Sequence, residues 1–140
     1  MAFNLLIVDD SSSMRSIIKK TVQISGFDVS EYFEGANGQE ALKVLKDAWI
    51  DVILSDIHMP VMDGLDLLKQ LQNDDLYKTI PVIIITTEGR EPKLDEAMSL
   101  GARAYIRKPF TPEVIRQTLT EVLGDEYVSD NQGEFEGSDF

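Results

Sequence analysis

Two hydrophobic patterns alternate along the chain. Short apolar runs fall at Asn4–Val8, Val52–Ser55 and Pro81–Thr86, with weaker ones at Phe27–Phe33 and Ala104–Arg107. The strongest are apolar at successive positions rather than at every second one. That is the pattern of parallel strands covered on both faces. Between the runs, apolar residues recur at helical spacing. Met14, Ile17, Ile18 and Val22 form one stripe, Ala41, Leu42, Val44 and Leu45 a second, and Leu65, Leu67, Leu68 and Leu71 a third. Leu94, Ala97 and Met98 make a fourth, and Ile115, Leu119, Val122 and Leu123 a fifth.

The punctuation agrees with this order. Asn37-Gly38 precedes the second helical stretch and Asp63-Gly64 the third, while Gly26 and Gly101 follow the first and fourth, where a left-handed residue closes a helix. Thr111-Pro112-Glu113 opens the fifth with a capping hydroxyl, a proline suited to the first turn, and an acid. The expected fold class is α/β: a (βα)5 doubly wound sheet of five parallel strands with helices on both faces. No internal repeat or second domain is apparent. Residues 1–123 form the domain, and residues 124–140, poor in large apolar residues, read as a disordered acidic tail.

Composition narrows the function. The chain has 140 residues, 43% hydrophobic and 27% charged, as expected of one globular domain. It contains no cysteine, which excludes disulfides, thiolate metal sites and cysteine nucleophiles. The apolar runs are far shorter than the roughly 20 residues of a membrane span, and the N-terminus lacks a secretory signal, so cytoplasmic location without membrane insertion is expected. With 25 acidic and 13 basic residues the formal net charge is −12. Scattered basic residues on an acidic body argue against direct nucleic-acid binding. Asp125, Glu126, Asp130, Glu134, Glu136 and Asp139 place half of that charge in the tail.

Open α/β sheets build sites beyond the carboxyl ends of their strands. Here those ends carry Asp9-Asp10, Asp56, Thr86-Thr87 and Arg107-Lys108-Pro109. Clustered carboxylates repel one another unless a cation offsets them. Mg²⁺ is commonly held by one or two carboxylates with waters and phosphate oxygens, and a carboxylate facing the open side can then attack phosphorus. A lysine and a hydroxyl would stabilise the transferred group. The chemistry suggested is formation of an aspartyl phosphate. The bland alternative for Asp9-Asp10, acids favoured at a helix N-terminus, does not account for Asp56 and Lys108 at matching strand ends.

Asp9-Asp10, Asp56 within Leu54-Ser55-Asp56-Ile57-His58-Met59-Pro60-Val61-Met62-Asp63-Gly64, Thr86, and Lys108-Pro109-Phe110 together resemble the receiver domain of bacterial two-component response regulators, of the single-domain, CheY-like type. The resemblance covers about residues 3 to 123 and implies the flavodoxin-like strand order 2-1-3-4-5. It also implies roles. Asp56 is the phosphoacceptor. Asp10 ligates Mg²⁺ directly and Asp9 largely through water, with Asp56 and the backbone carbonyl of His58 completing the protein ligands. Lys108 and Thr86 contact phosphoryl oxygens, Tyr105 turns inward as Thr86 moves, and the Lys108-Pro109 bond is cis. His58 and Glu88 occupy positions that tune phosphate lifetime.

The partners implied are a sensor histidine kinase or phosphotransfer protein and a downstream protein contacting the helix 4, strand 5, helix 5 face, with a monomer or a phosphorylation-dependent dimer as the working state. The module catalyses only its own phosphorylation and dephosphorylation. Two other readings are an aspartate-nucleophile phosphohydrolase and a flavodoxin-like cofactor binder. The first usually carries a second acid two residues after the nucleophile, where this chain has His58. The second lacks a glycine-rich phosphate cradle. Trp49 is expected to pack, and Tyr127, Phe135 and Phe140 to be solvated in the tail.

Overall fold

The computed structural model describes residues 2–87 and 92–124. The elements run β1 (Phe3–Val8), α1 (Ser12–Ser25), β2 (Val29–Gly35), α2 (Gly38–Asp47), β3 (Val52–Ser55), α3 (Gly64–Gln72), β4 (Val82–Thr86), α4 (Pro92–Ser99), β5 (Ala104–Arg107) and α5 (Pro112–Val122). All strand pairs are parallel and the sheet order is β2-β1-β3-β4-β5. From β1 the chain passes to one side for β2 and to the other for β3. The sheet therefore has its switch point between β1 and β3, where ligands of doubly wound sheets gather.

Two cores explain the continuous apolar strands. Side chains alternate faces along a strand. Leu5, Ile7, Val52, Leu54, Ile83 and Ile85 pack on one face with Ile18 and Val22 of α1 and Ile115 and Leu119 of α5. Leu6, Val8, Ile53, Val82 and Ile84 pack on the other with helices α2, α3 and α4, through Leu45, Leu68 and Leu94 among others. Each fully buried Leu or Ile contributes about 1.5–3 kcal/mol relative to exposure. β5 is an edge strand, and Tyr105 and Arg107 lie exposed on it.

The expected helix boundaries hold. Asn37, Asp63 and Thr111 cap α2, α3 and α5, each side chain accepting the N–H three residues on. Gly26 and Gly101 have positive φ of 82° and 110°. β2 begins at Val29 rather than Phe27, because Phe3 N–H is taken by the Asp28 carbonyl and the β1–β2 register shifts between Phe3 and Asn4. Three packing expectations fail, one of them Met98, which lies exposed on α4. Ile17 stands half exposed, since the buried line of α1 runs through Ile18 and Val22 and the next residue on a helix turns away. Trp49 is 77% exposed. It lies in the α2–β3 connection with its indole N–H donating to Asp51 Oδ1 at 3.0 Å, so the ring is held outward. Glu88 and the tail aromatics lie outside the described residues.

Candidate functional site

Backbone ladders deliver the site. Asp9 N–H donates to the Gly35 carbonyl at 3.0 Å, Asp56 N–H to Val8 at 2.9 Å, and Lys108 N–H to Thr86 at 2.8 Å. Each residue thus sits one step beyond its strand, still tied to the neighbouring strand. β3 pairs Ser55 with Ile84, so Asp56 and Thr86 leave the sheet at the same edge. The Lys108-Pro109 bond is cis, in the turn that precedes α5.

The side chains converge. Ligand oxygens of Asp9, Asp10 and Asp56 lie within 4.8 Å of one another. Lys108 Nζ stands 3.4 Å from Asp9 Oδ2 and 3.7 Å from Asp56 Oδ2. Asp9 is buried and also accepts the Ser11 N–H at 2.9 Å, while Asp10 is exposed and makes no hydrogen bond or ion pair among the described residues. Asp56 Oδ1 accepts the Ile57 N–H at 2.8 Å. Partial burial pushes the Asp56 carboxyl above the usual aspartate value. Lys108 and the Ile57 and His58 N–H groups pull it down, and Asp9 pushes it up.

One ammonium facing three carboxylates leaves an excess of negative charge. Hard oxygen donors this close together suit a divalent cation such as Mg²⁺, which accepts carboxylates and keeps several waters. The donor set fits. A shallow cleft bounded by Asp10, His58, Met59, Pro60 and Asp63 opens the pocket to solvent.

Thr86 is buried at the end of β4, one strand from Asp56. Tyr105 is not gathered into the pocket: it points to solvent from the edge strand. His58 is exposed on the β3–α3 connection, and its backbone N–H faces the Asp56 carboxylate. Sequence reasoning missed Arg15. Its Nη1 donates to the Asp9 carbonyl at 2.6 Å and its Nε to Glu34 Oε1 at 2.9 Å. The available signal was its place one turn into α1, the helix that follows the acidic pair.

The response regulator receiver domain model matches residues 5–120. The chain belongs to that family. Chemotaxis protein CheY1 of Helicobacter pylori is 46% identical over 122 residues, which span 86% of this chain and 96% of that protein. The family fold recurs in solved structures. The chemotaxis protein CheY4 of Vibrio cholerae superposes with a TM-score of 0.76 at 38% identity, covering 88% of this chain and all of that one. CheY in a CheX-CheY-BeF3-Mg²⁺ complex from Borrelia burgdorferi gives 0.75 at 32% identity, covering 86% and 89%. As a receiver, this chain is a signalling protein related to the chemotaxis regulators.

Proposed function

We propose that the chain is a phosphorylation-switched receiver that accepts a phosphoryl group on Asp56 and signals by protein contact. The observation that carries this reading is the meeting of Asp9, Asp10, Asp56 and Lys108, from three separate strand ends, within one pocket. The donor is a phosphohistidine of a sensor histidine kinase or phosphotransfer protein. An Asp56 carboxylate oxygen bonds to phosphorus as the bond from phosphorus to the donor nitrogen breaks. Lys108, already 3.7 Å from Asp56, offsets charge on the transferred group. Thr86 supplies a hydroxyl from the adjacent strand end.

Asp9, Asp10, Asp56 and the His58 carbonyl are the proposed protein ligands of Mg²⁺, with Asp9 acting largely through water. When bound, the cation neutralises the carboxylates and polarises the phosphoryl oxygens. The Borrelia relative was solved with Mg²⁺ and BeF3, which supports the same chemistry here.

Output falls to the face made by α4, β5 and α5, where Met98, Tyr105 and Val114 are exposed. Tyr105 is the proposed switch residue, turning inward as Thr86 engages the phosphoryl group. The Borrelia relative's complex with CheX supports signalling by protein contact. Phosphorylation biases two arrangements of this face, which requires several kcal/mol of differential interaction. Residues 1–123 carry this function, residues 124–140 lie outside it, and the module catalyses no turnover beyond its own phosphoryl group. No described helix is long and apolar enough to cross a membrane, in keeping with a cytoplasmic role.

The test is labelling with a small acyl-phosphate donor in Mg²⁺, read by intact mass. The wild type gains one phosphoryl group and Asp56→Asn gains none. Stoichiometric labelling of Asp56→Asn overturns the assignment.

A further inference from the structure

We propose that Arg15 is a positioning residue for the cation site, fixing the Asp9–Asp10 segment through its backbone rather than through any carboxylate. The inference rests on the reading that the acidic pocket holds Mg²⁺.

Asp9 is gripped at four points. Its N–H donates to the Gly35 carbonyl, its Oδ1 accepts the Ser11 N–H, and its Oδ2 faces Lys108. Its own carbonyl accepts Arg15 Nη1 at 2.6 Å, a short charge-assisted bond. Asp10 has no such hold among the described residues. Its carboxylate goes where the Asp9–Asp10 peptide plane sends it, and Arg15 pins the carbonyl of that plane.

Arg15 is pinned in turn. Its Nε–Glu34 Oε1 contact at 2.9 Å anchors the guanidinium to β2, beside the same Gly35 that takes the Asp9 N–H. The peptides on both sides of Asp9 are therefore referenced to one strand, the first by the sheet ladder and the second through the Glu34–Arg15 pair. A rigid planar fork makes both contacts at once, and a lysine ammonium cannot reproduce that geometry. Because the bond goes to a carbonyl, no carboxylate oxygen needed by a cation is consumed.

Helix stability does not account for this arrangement. Ser11 already caps α1 through the Met14 N–H, and Ile18 and Val22 bury its inner face. A partly exposed ion pair adds little by itself. A general electrostatic role differs from the brace in sign, since a cation beside an acidic pocket weakens Mg²⁺ binding. Removing Arg15 therefore tightens Mg²⁺ if charge alone matters and loosens it if the brace matters.

The experiment is calorimetric titration of the full chain with Mg²⁺, for wild type, Arg15→Ala, Arg15→Lys and Glu34→Gln, with metal-free melting run alongside. Loss of outer-shell support of metal ligands costs about 10–100-fold in affinity. For a brace acting through one peptide, Arg15→Ala should raise the Mg²⁺ Kd about tenfold, at the low end of that range. Arg15→Lys keeps the charge, loses the fork, and should retain most of the loss; it also reads the effect should Arg15→Ala fail to fold. Glu34→Gln should lose about threefold, because the amide oxygen still accepts from Nε without the charge. A wild type that takes up no Mg²⁺ overturns the cation site and the brace together. A wild type that binds, with Arg15→Ala and Arg15→Lys binding within twofold of it or tighter, overturns the brace alone.

Discussion

Lys108 and Asp9 lie 99 positions apart in the chain and meet with Nζ 3.4 Å from Oδ2. Asp9 is 2% exposed, so its carboxylate depends on that ammonium and on the Ser11 N–H. Leaving a buried acceptor without its charged partner costs about 1–3 kcal/mol. Lys108→Met should therefore lower metal-free stability by about that amount. Mg²⁺ should restore the variant more than it stabilises the wild type, because the cation replaces the lost charge and no longer competes with it. Chemical denaturation with and without Mg²⁺ checks both statements; equal Mg²⁺ stabilisation of the two proteins contradicts the second.

Asp56 gives a pH prediction with a definite sign. Its carboxyl is raised in the folded protein, chiefly by burial, so the folded state holds that proton more tightly than the unfolded chain. The associated stability is fully present below the unfolded value and is lost as pH rises through the folded one. At neutral pH the ionised, partly buried Asp56 is a liability in the metal-free protein. Asp56→Asn should then be more stable by about 0.5–2 kcal/mol, the usual gain from relieving one unfavourable site. The advantage should shrink toward acid pH. Melting curves in a chelator across the acid range test this, and an advantage that grows on acidification would contradict it.

Val61 occupies a left-handed backbone position, φ 70°, in the β3–α3 connection, with 80% of its surface exposed. The left-handed region costs an L-residue roughly 1–2 kcal/mol, and a β-branched side chain is especially ill suited to it. Val61→Gly removes that strain and sacrifices little packing, against the larger entropy glycine loses on folding. The expected net gain is about 0.5–1 kcal/mol. A melting temperature at or below wild type would show that the loop carries no such strain.

Much of this was legible in the sequence, for identifiable reasons. Strands buried on both faces must be apolar throughout, so β1, β3 and β4 stood out. Caps such as Asn37, Asp63 and Thr111 are local chemistry and need no tertiary information. The pocket was legible because Asp9, Asp10, Asp56 and Lys108 each end a strand, and strand order alone brings those ends together. What stayed hidden depends on side-chain direction across elements. The exposure of Trp49 follows from its hydrogen bond to Asp51, and the reach of Arg15 to Asp9 and Glu34 depends on the angle of α1 over β2. Edge strand β2 begins two residues later than its apolar run because the β1–β2 register shifts between Phe3 and Asn4, which local pattern does not encode.

Gly64 links the α3 start to the acceptor. Its N–H donates to the Ile57 carbonyl at 2.8 Å, which folds the Met59–Asp63 loop back against the end of β3. A Cβ at this position would run into the Asp56 carbonyl oxygen and come 2.9 Å from Ile57 Cα. Both obstacles are backbone, so a rotamer change cannot relieve them. Gly64→Ala should cost about 1–3 kcal/mol, the range for overpacking a tight site. The displaced atoms belong to the residue proposed to take the phosphoryl group and to its neighbour. The Asp56 carboxylate should therefore shift relative to Lys108, and acyl-phosphate labelling should slow at temperatures where the variant is still fully folded. Gly38→Ala is the informative control. Its nearest obstacles would be Met62 side-chain atoms, Cγ at 2.6 Å and Sδ at 2.7 Å, rather than the backbone of the acceptor. Gly38→Ala should therefore label at close to the wild-type rate, and equal slowing of both variants would show that the Gly64 contact does not govern the acceptor.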